Sequence, residues 1–182
     1  MIEINAAEFY QLLNDNNIDE NELQCLVVQK LNKLKKTVAT AESCTGGLVS
    51  KRITEVSGSS SVFECGVCSY ANRIKNKILG VDNNTLNTVG AVSPETAEQM
   101  ANGVRKLADA DYGVSTTGIA GPTGGTKDKP VGLVFFAVAD KDNTTVIKAL
   151  LGDAADNSRE GIRKTASSVI LYYLLKQVIQ DN

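Results

Sequence analysis

Threonines, a serine, a thiol and paired glycines crowd into Thr37 to Gly47, TVATAESCTGG. Val38, Ala39 and Ala41 are small residues suited to a packed strand, and Leu48, Val49, Ile53 and Val56 continue at helical spacing. The stretch reads as strand, tight turn and helix start, with Ser43 at the helix mouth. Ser43 and Thr45 are good caps for that helix. Unpaired N–H groups and the helix dipole at such a mouth favour an anion or a developing oxyanion, and Gly46 and Gly47 let a ligand approach the backbone. Ser43 is then either a cap or a nucleophile. Cys44 is a rival nucleophile, since a thiol ionises more easily than a hydroxyl.

A serine nucleophile needs a base within hydrogen-bond reach. The chain has no histidine, which excludes a Ser-His-Asp or Cys-His triad and removes the usual zinc ligand. Lys75 and Tyr70 are the remaining candidates. Desolvation or a nearby cation can lower a lysine pKa into a useful range, and a tyrosine can relay a proton; the alternatives are a solvated helix lysine and a half-buried strand end. The loop Gly118-Ile119-Ala120-Gly121-Pro122-Thr123-Gly124-Gly125 lets backbone amides converge on an anion, or is a plain wide turn. It matches neither a Walker A loop nor a Rossmann fingerprint. Arg159 and Arg163 lie one helical turn apart and point together at a site or at solvent. Cys65 and Cys68 form a CxxC, but VFECGVCSY reads as a strand, whose residues i and i+3 face opposite ways. No metal site and no cofactor are expected.

The elements that must position these residues follow from the rest of the chain. Its 182 residues, 42% of them hydrophobic, suit one domain of ordinary size. A formal net charge of -2 argues against a nucleic-acid surface, and the lysines from Lys30 to Lys36 read as a solvated helix face. The N-terminus lacks a basic segment followed by an apolar run, and no apolar run approaches a bilayer span; a cytoplasmic protein is expected. Residues 6–14 and 20–35 carry helical spacing, as do 71–79, 94–107 and 158–180. Strands are expected at 38–41, 62–70 and 112–117, then as a hairpin at 131–139 and 144–151, while 82–91 reads as loop. Ser93-Pro94-Glu95 is a strong helix start. Helix-separated strands followed by a hairpin predict a three-layer α/β/α single domain with a mixed, mainly parallel five-stranded sheet. In such a sheet ligands bind beyond the carboxyl ends of the strands. The polar ends Thr40 to Ser43, Ser69-Tyr70 and Thr116 to Gly118 would then share one pocket.

Five blocks in order, TVATAESCTGG, SYANRIKNKILG, GAVSPETAEQMA, STTGIAGPTGG and VGLVFFAVA, strongly resemble the CinA C-terminal domain family, the PncC-type nicotinamide mononucleotide amidohydrolases. The resemblance covers about Leu31 to Leu175, and the expected organisation is a domain at 20–182 preceded by a helical arm at 1–19. It implies hydrolysis of the nicotinamide carboxamide to nicotinic acid mononucleotide and ammonia by a serine amidase without histidine. Ser43 matches the family nucleophile, Tyr70 and Lys75 its tyrosine and lysine, and Thr117 and Arg159 a threonine and an arginine of its site. The usual Gly-Asp-Arg of the family is interrupted here, since Gly152-Asp153 is separated from Arg159 by AADNS. The substrate-binding set expected is Thr45, Gly46, Gly47, Thr117, Gly118, Gly121 and Arg159. A small-molecule nucleotide is the expected partner and a homo-oligomer the expected assembly, with no nucleic acid and no membrane. Retained Ser43, Tyr70 and Lys75 favour an amidase, whereas the interrupted arginine region favours a catalytically silent nucleotide- or phosphate-binding regulatory domain.

Overall fold

The computed structural model describes residues 1–154 and 156–180. Ala155 and residues 181–182, which end the expected 20–182 domain, lie outside the described residues. In chain order the elements are β1 (Ile2–Asn5), α1 (Ala6–Asp15), α2 (Leu23–Leu34), β2 (Val38–Glu42), α3 (Leu48–Thr54), β3 (Phe63–Cys68), α4 (Asn72–Leu79), α5 (Asn83–Thr88), α6 (Pro94–Ala108), β4 (Tyr112–Gly118), β5 (Leu133–Ala139), β6 (Thr144–Leu150) and α7 (Arg159–Gln180).

These strands form a six-stranded mixed sheet ordered β1-β6-β5-β4-β2-β3. β2 pairs in parallel with β3 and β4, and β1 with β6, while β5 runs antiparallel to both its neighbours. The central strands β2 and β5 are buried along their whole length; β5 reads as a continuous apolar run for that reason, while β2 also buries Thr40 and Glu42. One core packs α1, α2, α3 and α7 against the sheet, with Phe9, Leu31, Ile53 and Ile170 inside it. On the other face α4, α5 and α6 bury Leu79, Leu86 and Met100 against β2 and β3, and Ala97 and Ala101 of α6 against β5. The three layers are those expected.

The sixth strand corrects the sequence-based count of five. Residues 2–5 are too few to show alternation, and they become a strand by pairing with the edge of β6. Asn5 then ends the strand and starts α1 through a capping box with Glu8. The 82–91 segment is not all loop: Asp82 caps the short α5, whose polar sequence, with Leu86 buried, carries too little periodicity to announce a helix. The helix after the Ser43 turn stops at Thr54, so Val56, expected to continue its spacing, lies beyond it. Ser93 caps α6 as its sequence predicts, its side chain accepting from Thr96 N. Among the described residues no helix is long and apolar enough to cross a membrane.

Candidate active site

Because β2, β3 and β4 run parallel, their carboxyl ends open on the same side of the sheet. A cavity of about 360 Å³ lies there, lined by Ser43, Cys44, Tyr70, Lys75, Ala91, Val92, residues 117–121, Thr123, Gly124 and Arg159. Three of these groups come from the strand ends. Lys75 arrives from α4, and Arg159 from the first turn of α7.

Lys75 is 1% exposed. Its Nζ donates to the Ser69 carbonyl and lies 3.0 Å from Ser43 Oγ. Burial lowers its pKa from the ordinary lysine value to about 8, a fall only partly opposed by Cys44. A neutral Nζ keeps two hydrogens and one lone pair, so it can hold the Ser69 carbonyl while accepting a proton from Ser43. The sequence left Lys75 open between base and surface charge; its burial removes the surface alternative. Burial also pushes the Cys44 thiol up to about 12, opposed by a hydrogen bond with Thr116. Cys44 is therefore a protonated wall of the cavity, ill suited to act as a thiolate.

Tyr70 stands apart from this pair. Tyr70 is 68% exposed, and its hydroxyl accepts a hydrogen bond from Arg159 Nη2 at 3.1 Å. Arg159 Nη1 donates to the Gly121 carbonyl at 2.7 Å, so the guanidinium bridges Tyr70 and the glycine-rich loop at the rim. The longer spacing before Arg159 thus still delivers a guanidinium to the cavity. Thr117 is 1% exposed and donates to the Ala91 carbonyl at 2.6 Å, holding the opposite wall. Gly118 lets β5 come close, since a Cβ there would lie 2.6 Å from Leu133 O.

Thr45, Gly46 and Gly47 do not line the cavity. Thr45 is 0% exposed; its hydroxyl meets Glu42 and Thr116, both at 2.7 Å. Its carbonyl accepts from Arg163 Nη2 at 2.7 Å, and Gly46 lies under the same guanidinium. Gly47, with φ of 95°, is the N-cap of α3. The mouth of α3 is filled from within: the Glu42 carboxylate accepts from the N–H groups of Gly47, Val49 and Ser50. This is a correction to the expected use of that mouth by a ligand or oxyanion, and neither Ser43 nor Thr45 caps the helix. Sequence reasoning passed over Glu42, although a carboxylate just before a turn and helix start is a recognisable capping signal. Cys65 packs on the α6 side of β3, and all four cysteines are free thiols.

A Ser–Lys pair in a cavity at the carboxyl ends of a mixed sheet defines an α/β/α domain with a serine-centred site. Comparison with known proteins narrows this class, because the model of the CinA C-terminal domain matches residues 20–178. The chain belongs to the CinA C-terminal domain family. A competence-damage inducible protein of Thermoanaerobacter sp. strain X514 is 52% identical over 158 residues, covering 87% of this chain and 38% of that protein. A CinA-like protein of Endomicrobium trichonymphae is 45% identical over 173 residues, 94% of this chain and 40% of its own length. The chain therefore spans about two fifths of these relatives. Among solved structures, the competence/damage inducible protein CihA of Agrobacterium tumefaciens superposes with a TM-score of 0.82 at 40% identity, covering 86% of this chain and 94% of that one. The competence damage-inducible protein A of Klebsiella pneumoniae gives 0.84 at 27% identity, covering 90% and 99%.

Proposed function

We propose that this domain hydrolyses the carboxamide of nicotinamide mononucleotide to nicotinic acid mononucleotide and ammonia. The observation that carries the reading is the buried Lys75 amine, 3.0 Å from Ser43 Oγ, with its pKa lowered to about 8. Neutral Lys75 takes the Ser43 proton as Oγ attacks the amide carbon, forming a tetrahedral oxyanion. Backbone N–H groups of Ala120, Gly121, Thr123 and Gly124 are the candidate donors to that oxyanion, since Glu42 occupies the α3 mouth and Ile119 N is bonded to Leu133 O. Collapse of the intermediate breaks the C–N bond, and the Lys75 ammonium protonates the departing nitrogen. Water, deprotonated by the same amine, then attacks the acyl-serine ester; the Ser43 Oγ–C bond breaks, the Lys75 ammonium returns the proton to Ser43 Oγ, and the acid is released. Tyr70 and Arg159 sit where they can hold the nucleotide rather than in the proton path.

A second reading, a silent nucleotide-binding domain, is favoured by the interrupted Gly-Asp-Arg spacing, in which AADNS separates Gly152-Asp153 from Arg159. The two are separated by incubating purified protein with nicotinamide mononucleotide and measuring ammonia. Wild type should release it, Ser43→Ala should not while staying folded, and Cys44→Ala should keep turnover within about tenfold, since its thiol is not the nucleophile. Binding without ammonia release by wild type selects the silent domain, and activity near wild type in Ser43→Ala refutes the nucleophile assignment.

A further inference from the structure

The turn that carries Ser43 is held by a residue the chemistry above does not use. Glu42 ends β2 and is 1% exposed. Its Oε2 accepts from Thr45 Oγ1 at 2.7 Å, Gly47 N at 2.9 Å and Val49 N at 3.1 Å. Its Oε1 accepts from Ser50 N at 2.8 Å and Ser50 Oγ at 2.7 Å. Among the described residues no lysine or arginine forms an ion pair with it. A carboxylate so deeply buried is stabilised by these donors and by the positive end of α3.

The backbone of Glu42 closes a ring around the reacting pair. Its carbonyl accepts from Ser69 N at 2.9 Å, the Ser69 carbonyl accepts from Lys75 Nζ, and that Nζ meets Ser43 Oγ. Ser43 N is tied in turn to Thr116 O at 2.9 Å, and Thr116 Oγ1 meets Thr45 Oγ1. The segment from Ser43 to Ser50 is thus fixed at its start by strand bonds and at its end by one carboxylate.

We propose that Glu42 is a positioning residue for the Ser43–Lys75 pair, its carboxylate tying the 43–50 segment back to the end of β2 and so keeping Ser43 Oγ within reach of Lys75 Nζ. Thr45, on the same carboxylate, shares this role and does not touch substrate. The proposal rests on the serine-amidase reading of the site. Glutamine cannot substitute, because whichever way its amide lies it turns an NH₂ group toward N–H and O–H donors.

The test compares wild type, Glu42→Gln and Thr45→Val in three measurements: ammonia release from nicotinamide mononucleotide, the rate at which a fluorophosphonate labels Ser43 (located by peptide mass spectrometry), and Tm. In Glu42→Gln, labelling and kcat should fall roughly 30-fold or more, in line with the cost of small misplacements of reacting groups. KM should stay within about threefold, and the Lys75 limb of the pH profile should stay in place. Thr45→Val should show the same split, about three- to tenfold. Labelling and kcat within twofold of wild type in folded Glu42→Gln overturn the proposal. So does a Thr45→Val that raises KM at unchanged kcat, and that variant decides alone if Glu42→Gln does not fold. Wild type that labels at Ser43 without releasing ammonia ends the amidase reading, while the labelling rates still judge Glu42. Wild type that does not label overturns both.

Discussion

Lys75 is the residue whose position most constrains the chemistry. An ammonium 1% exposed, among neutral partners, is disfavoured by desolvation. Its pKa of about 8 in the fold lies below that of the unfolded chain, so between roughly pH 8 and 10.4 the unfolded state binds more protons. Stability contributed by this group therefore rises with pH across that window, and the full cost of burial is present below it. Lys75→Met should raise stability at pH 7 by roughly 1–3 kcal/mol, given about 1.4 kcal/mol per pKa unit, while reducing kcat by about 10²-fold or more. Lys75→Arg keeps a cation that cannot become a neutral base, so it should lose kcat comparably and fail to gain stability. Wild-type kcat/KM should climb with pH through about 8, and this limb should vanish in both variants. Melting curves at pH 7 and pH-rate profiles check this; wild-type kcat in Lys75→Arg returns the base role to another group.

At the scale of elements, α4 exists to deliver this amine. It spans eight residues, Asn72–Leu79, and its buried side chains are Lys75 and Leu79. Gly80 ends it in the left-handed conformation, with φ of 68°, as its place after the last apolar residue indicates. α4 lies so close on α6 that a Cβ on Gly103 would be 1.9 Å from the Leu79 carbonyl oxygen. Gly103→Ala should push the helices apart, costing about 1–3 kcal/mol as overpacking does. It should lower kcat about tenfold or more by moving Lys75, since small displacements of a reacting group are costly. Thermal melts and turnover measured together test the link. A variant less stable but fully active uncouples α4 packing from the site.

At the scale of the molecule, the first residues are built into the body. β1 extends the sheet beside β6, and Phe9 of α1 is 0% exposed, edge-on to Tyr172 of α7 at 6.0 Å between ring centroids. Phe9→Ala should cost about 3–5 kcal/mol, as core aromatic deletions do. The cavity lies at the carboxyl ends of β2, β3 and β4, with none of its lining residues on β1 or α1, so kcat below the melting transition should stay within about twofold of wild type. A denaturation curve and a kcat taken well below Tm are the two readings required. A large loss of kcat in folded Phe9→Ala would mean that the N-terminal segment reaches the site.

The sequence by itself determined the three layers, the parallel strands and the caps at Ser93 and Gly80, because these depend on local periodicity and on residues with narrow backbone preferences. It also brought forward Ser43 as a hydroxyl at a strand end, Tyr70 and Lys75 as candidate bases, and, through the family resemblance, Thr117 and Arg159. Tertiary structure alone decided which of these meet. Whether Lys75 is a base or a surface charge turns on desolvation, which no spacing encodes. The same holds for Cys44, whose thiol is silenced by burial, and for Tyr70, drawn to Arg159 across 89 positions of the chain. β1 is a strand only because a sheet edge 145 residues away accepts it: Ile2 pairs with Ile147. Thr45 read as a helix cap and substrate contact and Glu42 carried no reading at all, yet the fold turns both inward, where the carboxylate takes the helix mouth that the sequence offered to a ligand.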